Sequence, residues 1–239
     1  SPTSYLYDGE VRKMTSRTVT VDVKEADGSL SKRSHTFWET HFGPTVQNDE
    51  AYAWTSDRAF AIREVAMNFR WLNQTLDMNR ANSVEELDAA GQKYLGIGWL
   101  NTIAADAAGN TLYADRSAIP HVTDAMLERC VTTTTAPLSS RPAAIPALDG
   151  SRSECEWSSE AGTPIPGIFG VSTLPMLART DYVTNSNNSY WTNNLHQPLE
   201  GFPRIMGDER TARTLRTRIG LLKIERRLNG TDGHPGNQF

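Results

Sequence analysis

The sequence predicts an α+β chain, and three observations carry that prediction: period-two alternation near its start, helical apolar spacing with a capping box in its middle, and an apolar strand pair beyond. Thr18-Val19-Thr20-Val21-Asp22-Val23 alternates as a half-buried strand does. Ala26-Asp27-Gly28 supplies turn chemistry, and His35-Thr36-Phe37-Trp38-Glu39-Thr40 returns. Gly43-Pro44 is expected to break the pattern. A helix is then expected over 56–72, with Ile62, Val65, Ala66, Phe69 and Leu72 on one face. A second helix opens at the capping box Ser83-Val84-Glu85-Glu86 and ends by Gly96. Residues 99–105 and 111–115 form a strand pair around the turn Ala107-Ala108-Gly109-Asn110, the first strand apolar enough to be covered on both faces. Residues 117–180 read as a long Pro-rich excursion, of the kind that tends to be functional or to wrap a partner. A short strand over 181–184, an Asn-rich stretch and a helix over 209–228 complete the reading, with no internal repeat.

Composition excludes several classes. The 239 residues suffice for one large domain or two small ones, and 38% hydrophobic with 22% charged residues is ordinary for a folded chain. No apolar run approaches the roughly 20 residues of a membrane span, so no membrane partner is expected. No secretory leader precedes Ser1, and an export signal would lie on other sequence. A net charge of −4 gives no reason to expect nucleic acid. Arg204, Arg210, Arg213, Arg216, Arg218, Lys223, Arg226 and Arg227 do crowd one segment. Without aromatic or Gly-rich company they read as a solvated helix face with one or two arginines turned inward, and a phosphate- or RNA-binding helix is the alternative. Cys130 and Cys155 are 25 residues apart. A disulfide between them would gain about 3 to 4 kcal/mol from loop closure and would place the chain outside the cytoplasm; two buried thiols are the alternative. Neither cysteine has histidine at ligand spacing, so no metal site is expected.

No metalloprotease, phosphate-loop, dinucleotide or nucleophile-elbow motif occurs. His35, His41, His121, His196 and His234 are scattered and read as structural or solvated. The informative stretch is Asn185-Ser186-Asn187-Asn188-Ser189-Tyr190-Trp191-Thr192-Asn193-Asn194, with five asparagines in ten residues. A turn-rich surface loop explains it, since Asn tolerates left-handed backbone and bonds its own chain. An amide held to donate to a developing oxyanion also explains it.

Around that stretch lie Pro198-Leu199-Glu200-Gly201-Phe202 and an Arg-rich segment opening Gly207-Asp208-Glu209-Arg210. Upstream, in order, come Ser1-Pro2-Thr3-Ser4-Tyr5-Leu6-Tyr7-Asp8-Gly9, His41-Phe42-Gly43-Pro44-Thr45-Val46, and Trp99-Leu100-Asn101-Thr102-Ile103-Ala104-Ala105-Asp106 with Gly109, Asn110 and Tyr113. Together with the Asn185-Ser186-Asn187-Asn188-Ser189 stretch, these five collinear blocks resemble the β-chain of the penicillin acylases, nearest their aculeacin and acyl-homoserine-lactone acylase branch, across essentially the whole chain.

The resemblance implies an N-terminal-nucleophile hydrolase: part of an αββα sandwich, incomplete here, cut from a self-cleaving precursor and hydrolysing an acyl amide. It implies Asn187 as the oxyanion asparagine and Arg213 as its supporting arginine, with Arg216 one turn away as the other possibility. It also implies Trp99 lining an apolar acyl pocket, a Cys130–Cys155 pair, a secreted or periplasmic location and no cofactor. The implied partners are an acyl-amide substrate, the remainder of the β-chain and an α-chain from the same precursor. The nucleophile is expected upstream: the family's serine is followed by Asn, Gly and Ala and then an Asn-Pro-His or Asp-Pro-His motif, and nothing of that kind follows Ser1. The early His and the backbone oxyanion donor are expected there too. Residues 1–239 therefore read as one internal segment, cut at both ends, with 117–180 as its stapled excursion. A non-catalytic binding module derived from the same fold is the competing reading.

Overall fold

The computed structural model describes residues 3–46, 52–66, 68–98, 100–132 and 146–235. The chain divides into two compact units, one of residues 1–64 and 149–156, the other of residues 65–148 and 157–239.

The first unit is a set of antiparallel ribbons. β1 (Ser4–Tyr7) pairs with β2 (Glu10–Lys13). The turn between them has Asp8 and Gly9 at φ 47° and 83°, the left-handed pair that a two-residue hairpin needs. β3 (Thr15–Lys24) pairs over its whole length with β4 (Leu30–Thr40). The Asp27 carboxylate holds their turn by accepting from the Ser29 N–H and hydroxyl. β5 (Gly43–Val46) and β6 (Phe60–Ala61) extend the sheet in the order β3-β4-β5-β6. Gly43-Pro44 thus continues the sheet rather than breaking it, because the pairing turns back at once. Gly43 sits at φ +138°, where a Cβ would come within 2.2 Å of the Ile62 carbonyl oxygen.

The helix expected over 56–72 does not form. Its place is taken by β6 and an irregular passage, and α1 runs Arg70–Met78. The apolar residues that suggested one face have separate fates. Val65 and Ala66 pack on the buried cluster of Leu95, Ala118, Ile168, Phe169 and Leu174, whereas Phe69 is 81% exposed. Asn68 interrupts the backbone ladder, donating from its amide to the Ala66 carbonyl and accepting from the Arg70 N–H, the competition that short polar side chains offer a helix.

In the second unit α2 (Val84–Tyr94) starts where expected: the Ser83 hydroxyl accepts from the Glu86 N–H. The Glu86 carboxylate reaches back to the Asn82 N–H, one residue before the usual capping-box partner. Buried Gln74 of α1 accepts from the Gly96 and Ile97 N–H groups and donates to the Arg116 carbonyl. Arg116 in turn makes a two-pronged buried ion pair with Asp88 of α2. β7 (Thr102–Ala105) and β8 (Thr111–Ala114) form the expected hairpin, and β9 (Met176–Arg179) adds a third strand beside β8.

The strand expected over 181–184 is therefore five residues earlier. The β8 register ends at Thr111 opposite Arg179, and Asp181 is taken up by the Arg179 guanidinium and the Tyr182 N–H. The described parts of 117–180 hold α3 (Asp124–Cys130), β9 and core residues such as Ile168 and Phe169. Cys130 and Cys155 are both disulfide-bonded and no cysteine is free. Finally, α4 runs Leu215–Leu228 behind a Thr214 cap. The expected start at Glu209 fails because Glu209 is drawn into side-chain bonds elsewhere and Arg210 takes a left-handed φ of 52°. No helix among the described residues is long and apolar enough to cross a membrane.

Candidate functional site

Residues 185–194 follow β9 closely, and most of the asparagines in them are structural. Asn185 accepts the Asn187 N–H at its Oδ1 (2.7 Å) and donates to the Asn188 carbonyl and to Asn193 Oδ1, each at 3.1 Å. The Asn188 Oδ1 accepts the Ser186 N–H. Asn193 is 2% exposed, and its carbonyl accepts the Thr184 N–H. Asn194 is fully buried, donating to Asp181 and to the Tyr182 carbonyl while accepting the His196 N–H.

Asn187 alone among these five is exposed and has a side-chain amide with no hydrogen-bond partner among the described residues. Its backbone is left-handed, φ 60°, a conformation costing an L-residue about 1 kcal/mol and least costly for Asn or Gly. The loop thus sets the backbone of Asn187 and leaves its amide unbonded.

Remote elements brace the loop. The Arg216 guanidinium, from the first turn of α4, donates to the Ser186 carbonyl, immediately before Asn187. Arg213 takes a different route. It stacks on the Trp191 ring at 4.6 Å and donates to the Asp208 carbonyl at 3.1 Å, and the Ser189 hydroxyl donates to that same carbonyl. Burial lowers the Arg213 pKa, and the guanidinium remains charged. Of the two expected arginines, only Arg216 bonds directly to the backbone next to Asn187.

Behind the loop, the Tyr190 hydroxyl donates to Glu209 at 2.7 Å, and burial together with that carboxylate raises the phenol's pKa, keeping it a neutral donor. Glu209 also accepts the Gly201 and Phe202 N–H groups. Trp191 donates from its indole to Glu200, whose pKa is lowered first by Arg210 and then by that indole bond. Sequence reasoning singled out neither Asn185 nor Glu209. The Asn-Ser-Asn spacing, with its side-chain acceptor two residues before a backbone donor, was the signal for Asn185; Glu209 had none.

Trp99 and Ser1 lie outside the described residues. Three of the eight basic residues of the cluster pair with carboxylates, Arg204 with Asp124, Arg210 with Glu200 and Arg227 with Asp232. Three of the histidines bond neighbours rather than a common centre: His41 with Tyr5 and Glu156, His121 with Ser158, His196 with Glu225. Among the described residues no group of His, Cys, Asp or Glu is arranged to hold a metal.

Known proteins are similar to this chain over most or all of its length. The chain is 45% identical over 240 residues to aculeacin-A acylase of Actinoplanes utahensis, covering 100% of this chain and 30% of that protein. It is 38% identical over 229 residues to the acyl-homoserine lactone acylase PvdQ of Pseudomonas fluorescens, covering 94% of this chain and 28% of the relative. The chain therefore spans less than a third of the length of either. Among solved structures, a thermostable penicillin G acylase from Alcaligenes faecalis superposes with a TM-score of 0.51 at 19% identity, over 75% of this chain and 27% of that one, which shows a shared fold. Residues 1–232 match the family described as penicillin amidase. With a family match of that extent and the collinear blocks inside it, the chain belongs to the penicillin amidase family.

Proposed function

We propose that this chain is a segment of a longer acylase that hydrolyses a linear acyl amide, and that it supplies the oxyanion asparagine, Asn187. The observation carrying the proposal is that Asn187 is the exposed one of the five and, among the described residues, bonds through neither side-chain atom, while each of the other four bonds through at least one. When a nucleophile adds to the acyl carbonyl, the carbonyl oxygen gains a full negative charge. A preorganised N–H donor favours that state over the neutral ground state, an effect of about 10²–10³ in rate. The nucleophile in this reading is a serine on sequence upstream of Ser1, activated by its own α-amine.

Both arginines support the loop in this reading, Arg216 through the Ser186 carbonyl and Arg213 through Asp208 and Ser189. Trp99 is assigned to the acyl pocket by its place in the family motif. Aculeacin-type lipopeptides and acyl-homoserine lactones are the substrate classes that the relatives' names suggest. The disulfide favours an extracytoplasmic location, and the partners are the rest of the β-chain and an α-chain.

The test is turnover of an acyl amide by the complete acylase carrying Asn187→Ala. A fall in kcat of at least about tenfold is expected, with self-cleavage and fold intact; unchanged kcat would sink the assignment. The isolated 239-residue chain should show no amidase activity.

A further inference from the structure

Resting on the assignment of Asn187, we infer that Asn185 is a positioning residue for the same reaction, and that its amide chemistry, beyond its size, is what the site requires. Asn187 holds a left-handed backbone and needs something to keep it there. Asn185 does so directly, accepting the Asn187 N–H at 2.7 Å in a side-chain turn that closes over two residues. The other half of the same amide donates to the Asn188 carbonyl and to Asn193 Oδ1. One side chain thereby grips the backbone on both sides of Asn187 and ties it to a buried base, since Asn193 is 2% exposed and paired through its own carbonyl to Thr184.

The partners dictate which way round the amide lies. A backbone N–H can only donate, so the atom facing Asn187 N must be an acceptor. A backbone carbonyl can only accept, so the atom 3.1 Å from Asn188 O must be a donor. Only a primary amide offers both on so short a stem. Aspartate would keep the acceptor but set an oxygen against the Asn188 carbonyl oxygen, and glutamine would place both atoms one methylene too far for a two-residue turn. Asn187 is the part of the loop left unbonded, and Asn185 is the part that leaves it so.

The experiment is a double-mutant cycle in the complete acylase: Asn187→Ala, Asn185→Ala, the pair together, and Asn185→Asp. Steady-state kinetics on one acyl amide is combined with inhibition by an acyl boronate, which mimics the tetrahedral intermediate, and by the carboxylic acid product, which does not. For Asn185→Ala a loss in kcat of about tenfold is expected, with KM and product inhibition little changed and boronate affinity reduced in step with kcat. Asn185→Asp should lose comparably despite its matching volume. The double variant should be no slower than Asn187→Ala alone, because a support has nothing to position once the amide is gone.

Losses that multiply in the double variant would mean a general structural role and overturn the inference. So would full kcat in Asn185→Ala, or in Asn185→Asp, which also carries the test should the alanine variant fail to mature. Normal turnover by Asn187→Ala would defeat the oxyanion assignment and this inference with it. A slow Asn187→Ala beside a normal Asn185→Ala would defeat this inference alone.

Discussion

Two turns in the second unit are built on the same device and depend on the fold to different degrees. At residues 106–110 the Asp106 carboxylate accepts from the Ala108 and Asn110 N–H groups and from the Asn110 amide, with one long 3.5 Å contact from Val84. Gly109 supplies the left-handed corner at φ 88°. Nearly everything holding that turn lies within four residues. At 185–194 Asn185 plays the part of Asp106, but it reaches Asn193 eight residues on, and the backbone before Asn187 is held by Arg216, thirty residues on. The first turn only reverses the chain, and local bonds suffice. The second holds an unbonded donor in a strained conformation, and in functional sites strain is maintained by surroundings that over-determine it.

That contrast can be broken at the long-range strut first. Arg216→Ala removes a charge-assisted bond to the Ser186 carbonyl. Loss of that hold on the backbone beside Asn187 misplaces its amide, so kcat of the complete acylase should fall about tenfold or more. The melting temperature should move little, because Arg216 is exposed. An unchanged kcat with a lowered melting temperature would reverse the roles assigned to the strut.

A smaller effect is expected at the local turn. Gly109→Ala places a Cβ at φ 88° in open space, so the cost is backbone strain alone, about 1 kcal/mol. Thermal unfolding should register it while kcat stays at the parent value; lost activity would show the hairpin to be coupled to the site.

The smallest effect is on pH dependence. The Asn110 amide and N–H, followed by weaker backbone bonds, hold the Asp106 pKa below the ordinary carboxylate value. A depressed folded pKa means that this contribution is complete above the unfolded value near about 3.9 and is lost as pH falls through the folded one. Asp106→Asn should therefore flatten the acid limb of the stability curve, lowering stability slightly at neutral pH and leaving it nearly unchanged below the folded pKa. An acid limb as steep as the parent's would assign the slope to other carboxylates.

The same division between local and remote bonds explains what was legible beforehand. The β3–β4 ribbon, the Ser83 cap and the β7–β8 hairpin were readable because alternation, a hydroxyl three residues before an N–H, and an Asp-Gly or Gly-Asn turn act over a few residues. The helix over 56–72 does not follow from its spacing because the five apolar residues part company: Val65 and Ala66 pack on the core, Ile62 and Phe69 are exposed, and Leu72 joins α1. The start of α4 was misplaced by six residues because Glu209 bonds Tyr190, Gly201 and Phe202 instead of joining a helix.

By itself the sequence determined the β3–β4 ribbon, the start of α2, the β7–β8 hairpin, the candidate cysteine pair and, through the collinear blocks, the penicillin amidase family and the motif containing Asn187. It could not say which asparagine keeps its amide unbonded, or whether Arg213 or Arg216 bonds the backbone beside it. Those outcomes rest on partners eight to thirty residues apart, brought together only when β9, the 185–194 loop and α4 pack. Hydrogen-bond partnership is a property of distance in space, and for amides and guanidinium groups of identical chemistry only the tertiary structure distinguishes them.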